Sequence, residues 1–182
     1  GDLWGEFPAR LEAIRDWLPT METMVQTPLS PCPATFINPE VPTAVIPVLR
    51  VGLALLEGIQ PLLPLASIYH VGMVRNEETL EASCYLNKLP DQFHPQTRVL
   101  VSEPMLATVG SILAVMAELV KRGVDPELVR IISIVTAPPA LQKLGAEYPT
   151  IRVYAATIDE VLNEKGFIVP GLGDAGDRTF GT

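Results

Sequence analysis

The chain has 182 residues, which fits one domain, residues 1–182, able to bury about 70% of its unfolded surface. Its 48% hydrophobic and 19% charged residues exclude a disordered chain, and 21 acids against 13 bases, a net charge of -8, argue against nucleic acid and anionic membranes as partners. No apolar stretch reaches the ~20 residues of a membrane span, no secretory signal is legible, and Cys32 and Cys84 lack metal-ligand spacing, so a cytoplasmic protein is expected.

Gly1–Phe7 reads as irregular. Leu11, Ile14, Leu18 and Met21 then recur at helical spacing with Trp17 between them, and Pro19 stops this first helix near Leu18. "TPLSPCPATFINPEVP" carries five prolines and predicts an extended arm or loop rather than regular structure. "TAVIPVLRVG" predicts a strand and turn, followed by a helix from Leu53 to about Ile59. "ASIYHVGMV" and "SCYL" read as strands joined by the polar "RNEETLEA", a hairpin or flap. "TRVLVSE", "VRIISIVT" and "IRVYAAT" are near-continuous apolar runs, the pattern of strands covered on both faces. Between them lie the helices "GSILAVMAELVKRG", with Gly123 at its end, and "PPALQKLGAEY", with proline in its first turn. This alternation predicts an α/β fold with a parallel-sheet core flanked by helices. The tail "GFIVPGLGDAGDRTFGT" breaks it, with five glycines in seventeen residues, and ordering such a stretch costs much backbone entropy.

Three groups of residues suggest chemistry. "VLVSEPMLATVGS" places a loop between a buried strand and a helix amino terminus, where free N–H groups and the helix dipole favour an anion. Thr108 and Ser111 add hydroxyls, Gly110 permits close approach, and Glu103 suits a sugar diol; Ser111 is equally an ordinary N-cap. Arg50 and Arg75 stand at strand ends, where ligands of open parallel sheets sit. Asp174 and Asp177 read either as metal ligands or as turn formers, with Asp174 facing ligand and Asp177 paired to Arg178. His70, inside an apolar strand, reads as a core histidine and His94 as a solvent-facing loop residue, so neither suggests a catalytic triad.

These residues carry a resemblance. "EPMLATVGS" resembles the 5-phosphoribosyl-1-pyrophosphate (PRPP) loop of uracil phosphoribosyltransferases. "VIPVLRVGL", "GMVRNEETLE", "YLNKLP" and the "PGLGDAGDR" tail are similar to that family's other blocks, in the same order, from about Thr27 onward. The resemblance implies a type I phosphoribosyltransferase fold with a small hood, and conversion of uracil and PRPP to UMP and pyrophosphate in pyrimidine salvage. It implies catalytic roles for Arg50, Arg75 and Asp174. PRPP would meet these three and Glu103, Pro104, Met105, Leu106, Ala107, Thr108, Val109, Gly110 and Ser111. Uracil would meet Ile168, Gly173, Asp174 and Ala175, largely through backbone groups. Mg2+ would arrive through pyrophosphate and water rather than on dedicated protein ligands, and the chain would form a homo-oligomer, a dimer.

Against the family pattern, Glu103 stands for Asp, Val109 for the first loop glycine, Asn76 for Asp and Phe167 for Tyr, and the amino-terminal region is short. A β-branched residue forced to positive φ at 109 would cost about 1–2 kcal/mol, so weakened PRPP binding is expected. Two readings follow: an active uracil phosphoribosyltransferase with an altered loop, and a weakened or inactive relative that binds uracil or UMP in a regulatory role. A structural domain without ligand leaves the tail unexplained.

Overall fold

The computed structural model describes residues 12–76, 79 and 82–182. In chain order the elements are β1 (Thr20–Gln26), β2 (Pro31–Ile37), β3 (Thr43–Leu49), α1 (Gly52–Ile59), β4 (Ser67–Ile68), β5 (Val71–Arg75) and β6 (Ala82–Asn87). There follow β7 (Arg98–Ser102), β8 (Met105–Leu106), α2 (Gly110–Lys121), a 3-10 turn (Pro126–Leu128), β9 (Val129–Thr136), α3 (Pro138–Glu147), β10 (Arg152–Ile158), β11 (Val161–Leu162), β12 (Ile168–Val169) and α4 (Ala175–Phe180).

Among the described residues, eight strands form one sheet in the order β10-β9-β7-β3-β5-β6, with β4 beside β3 and β8 beside β9. All its pairings are parallel except β5 with β6, the expected hairpin. Strand alternation divides the core into two layers. Ala44, Ile46 and Val48 of β3, with Val99 and Val101 of β7, pack against α2 and α3; Val45 and Leu100 face α1, Ala13 and Trp17. A parallel sheet covered on both faces results, as its apolar runs require.

Four expectations need correction. Helical structure covers only residues 12–15 of the first predicted helix, and Met21 belongs to β1, 41% exposed; Leu11 and Gly1–Phe7 lie outside the described residues. The proline-rich segment is regular after all: β2 pairs with β1 from Pro31 to Ile37. Pro31 and Pro33 are two apart, so both missing N–H groups fall on one edge and leave the other for the ladder. His70 lies in the break between β4 and β5, half-buried, its carbonyl accepting the Lys88 N–H at 3.0 Å. Finally, β10 is an edge strand and partly exposed, so only two of the three apolar runs are buried on both faces.

Candidate active site

Parallel order brings the carboxyl ends of β3, β5, β7 and β9 to one edge, and a crevice of about 230 Å³ opens there. One wall is the segment from Glu103 to Ile112, less Pro104; the other is Gly166–Ile168 with Gly173–Ala175, and the floor is Val48, Leu49, Val51 and Met73. The expected residues Glu103, Met105–Ser111, Ile168, Gly173, Asp174 and Ala175 therefore meet in one place. Pro104 is buried and outside the lining. Its carbonyl accepts the Ile134 and Val135 N–H groups at 2.9 and 3.0 Å and the Ser133 hydroxyl at 2.9 Å, which ties the loop to β9.

β7 pairs with β9 up to Ser102 opposite Ile132, and β8 resumes the pairing with Met105 opposite Val135. Glu103 and Pro104 fall in that gap, across which the register is unchanged. The loop ends at Val109, with φ 56° and ψ 4° the one positive-φ residue other than glycine among those described, and the N-cap of α2. Ser111 is thus not the cap but the second helical residue, and no side chain caps α2. The first N–H groups of a twelve-residue helix are left to an incoming anion, with the helix dipole behind them. Left-handed geometry costs valine about 1–2 kcal/mol. Val109 is only 5% exposed and packs with Val48, Leu106 and Ile112, burial worth roughly 1.5–3 kcal/mol. In the stability of the fold, the strain of the left-handed valine is offset by packing that only the folded chain reveals.

Burial pushes the Glu103 carboxyl up to about 8, against a smaller opposing pull from the Met105 backbone N–H. That shift favours the protonated form at neutral pH, and hydrogen bonds donated to the carboxyl favour the anion.

Arg50 follows β3, outside the crevice lining, between Leu49 and Val51 which belong to it. Its Nη2 lies 3.4 Å from Asp177 Oδ1 and its Cζ 5.7 Å from the Phe180 ring centroid. Asp177 therefore faces Arg50 rather than its neighbour Arg178. Arg75 ends β5 opposite Ala82, at the same sheet edge; its side chain lies outside the described residues, as do 77, 78, 80 and 81 of the flap. Asp174 caps α4, its Oδ1 accepting the Gly176 and Asp177 N–H groups at 2.8 and 3.0 Å. The turn-forming reading of Asp174 holds, and its second oxygen stays outside the cap. The Leu49–Arg50 and Val169–Pro170 peptide bonds are cis.

Two residues that the sequence reading passed over shape the tail wall. Asn163 Oδ1 accepts the Lys165 and Phe167 N–H groups at 3.0 and 2.9 Å, an Asx-type turn. Asp159 Oδ2 accepts the Gly171 N–H at 2.9 Å. Gly171 has φ +49°, and a Cβ there would lie 2.2 Å from the Ile168 carbonyl oxygen, so only glycine fits. The spacing N-x-x-G at 163–166 is the one local signal that announced this turn. Phe167, Gly166 and Met73 also line the crevice without having been expected there.

Among the described residues no group of three or more His, Cys, Asp or Glu side chains is arranged to hold a metal ion. No helix among them is long and apolar enough to cross a membrane.

A sequence model of the uracil phosphoribosyltransferase family matches residues 10–182. A uracil phosphoribosyltransferase of Nostoc sp. is 72% identical over 171 residues, 94% of this chain and 79% of the relative. Among solved structures, a protein of Aquifex aeolicus superposes with a TM-score of 0.84 at 33% identity, over 96% of this chain and 81% of that one. A purine phosphoribosyltransferase of Pyrococcus horikoshii shares the fold at TM-score 0.54 and 14% identity, over 84% of this chain and 83% of that one.

Proposed function

The chain belongs to the uracil phosphoribosyltransferase family, and on that premise we propose how its crevice makes UMP and pyrophosphate from uracil and PRPP. The observation that carries the reading is the meeting of the uncapped start of α2 and the glycine turns of the tail across one cavity. The α2 N–H groups with Thr108 and Ser111 take the 5'-phosphate, and Glu103 accepts from the ribose diol. Backbone groups of Ile168, Gly173 and Ala175 match the edge of uracil. Cytosine reverses one donor–acceptor position and leaves a buried group unpaired.

The bond between the anomeric carbon and the pyrophosphate oxygen breaks and places positive charge on the ribose ring, and N1 of uracil attacks that carbon from the opposite face, its proton passing to the departing pyrophosphate or to water. Arg50 and Arg75 stabilise the leaving negative charge. Arg50's exposed contact with Asp177 is worth about 0–1 kcal/mol, so the guanidinium is free to turn to the diphosphate. Alignment of the two reactants contributes several kcal/mol, up to about 7–11. Mg2+, held by the diphosphate and water with Asp174 nearby, would neutralise charge on the leaving group; Asp174 on one wall and Glu103 on the other, with no protein cage among the described residues, fit a cation carried by its substrate.

The same reading makes the protein a cytoplasmic dimer that binds neither nucleic acid nor membrane. The β1–β2 ribbon supports the dimer, since it leaves Met24 62% and Leu29 96% exposed, apolar surface that a second copy would cover. Nothing in the comparisons favours the non-catalytic reading. The test is direct: with uracil, PRPP and Mg2+ the protein forms UMP and pyrophosphate in equal amounts and leaves cytosine untouched. Absence of UMP overturns the proposal.

A further inference from the structure

We propose that Asp159, seconded by Asn163, is a positioning residue that fixes the uracil-binding turn at a set distance from the ribose and phosphate loop. This rests on the reading of the tail as the uracil wall. Asp159 is outside the crevice lining. It stands at the junction of the two walls. The Thr136 hydroxyl donates to the Leu106 carbonyl at 3.4 Å in the loop, the Asp159 N–H donates to the Thr136 carbonyl at 3.0 Å, and Asp159 Oδ2 accepts from Gly171 at 2.9 Å in the tail. The root of this chain is immobile, because Thr136 is 0% and Leu106 1% exposed.

The far end is equally constrained. Gly171 folds onto the Ile168 carbonyl so closely that no side chain fits between them, so whatever places the Gly171 N–H places Ile168, a wall residue 2% exposed. Asn163 braces the other side: its N–H donates to the Phe167 carbonyl at 2.9 Å and its Oδ1 holds the return of the chain. Leu162 pairs with Ile168 in the β11–β12 ribbon. A carboxylate accepting a backbone N–H makes a stronger hydrogen bond than a neutral acceptor. Loss of that bond lets the glycine turn of the base wall shift, while the phosphate wall stays anchored through Leu106, Val109 and Ile112 in the main core.

The signature is a split between substrates. Asp159→Ala should raise KM for uracil about tenfold or more and lower kcat, the effect of one lost charge-assisted hydrogen bond and a misaimed base. KM for PRPP should stay within about twofold, and Asp159→Asn, which keeps an acceptor, should recover most of the loss. A purely structural role would move both KM values together and lower the melting temperature in step; that outcome overturns the inference, as does an unchanged uracil KM. Should Asp159→Ala not fold, Asn163→Ala carries the same split test. Calorimetry with UMP separates the two levels of the argument. A wild-type protein that binds no UMP defeats the reading of the tail, whereas equal binding by wild type and Asp159→Ala defeats this inference alone.

Discussion

The crevice wall we assign to phosphate, Glu103–Ile112, is built into the main apolar core, whereas the wall we assign to the base, Gly166–Ala175, buries Ile168 in a small apolar cluster and is otherwise held by side-chain acceptors and glycine geometry. Leu106 and Ile112 are each 1% exposed, and both belong to the main core between sheet and helices. Gly173 and Asp174 are exposed, and the base wall keeps its shape through Asp159, Asn163 and the Asp174 cap. A wall built into the core opens only with the whole domain; a wall held by a few half-exposed hydrogen bonds opens locally. Under that assignment the two substrates meet surfaces of different stiffness. On this assignment, damage to the base wall should cost function without loss of fold, and damage to the phosphate wall should cost both together.

The sharpest break of that contrast is Gly171→Ala. A methyl group 2.2 Å from the Ile168 carbonyl, at φ +49°, forces the turn to move, and a displacement near 1 Å costs about 100-fold in rate. We expect kcat/KM for uracil to fall by that factor or more with a melting temperature little changed; steady-state kinetics beside a thermal melt decide it, and intact kinetics refute the assigned base wall. Leu106→Ala is the counterpart on the other wall. Removing a fully buried leucine costs about 2–5 kcal/mol, or roughly 4–20 °C in melting temperature at about 2–4 °C per kcal/mol for a chain of this size. A melt shifted by less than the Gly171→Ala variant would erase the distinction between the walls.

The same contrast explains what could be read before folding. Strands β7 and β9 were legible because burial on both faces leaves an uninterrupted apolar run, and the helix ends because Gly123 and Pro138 mark them. β2 was hidden by prolines whose harmless edge depends on the partner strand. Ser111 took the place of Val109 as expected cap because cap preference is local, while the burial that tolerates a left-handed valine is tertiary. Asp177 was given to the adjacent Arg178, yet its partner Arg50 lies 127 residues away. Resemblance, not periodicity, assigned the base wall, since glycine turns carry no hydrophobic period, and even resemblance left Asp159 and Asn163 unassigned.

Glu103 sharpens the comparison through pH. Its carboxyl is raised from 4.5 to about 8 in the folded protein, so the folded state holds a proton that the unfolded chain releases. That contribution to stability is fully present below about pH 4.5 and is lost as pH rises through about 8. The ligand-free protein should therefore lose melting temperature between pH 5 and 9 in a way that Glu103→Gln flattens. A ribose diol donating to this group favours the anion, so UMP binding near neutral pH should release a proton. Calorimetry in two buffers of different ionisation heat measures it, and zero release removes Glu103 from the ribose contact.

The smallest expected effect is at Val109, where the two kinds of stabilisation meet in one residue. Val109→Gly relieves about 1–2 kcal/mol of left-handed strain. It forfeits roughly 1.5–3 kcal/mol of burial and adds about 0.5–1 kcal/mol of unfolded-state freedom. The terms nearly cancel, leaving a loss on the order of 1 kcal/mol and a melting temperature lower by about 2–4 °C. Because the backbone already holds φ 56° with valine present, KM for PRPP should change by less than about fivefold, under 1 kcal/mol. If glycine instead tightened PRPP binding tenfold or more at unchanged stability, the valine would be distorting the loop, and packing would have lost its claim to set the phosphate wall.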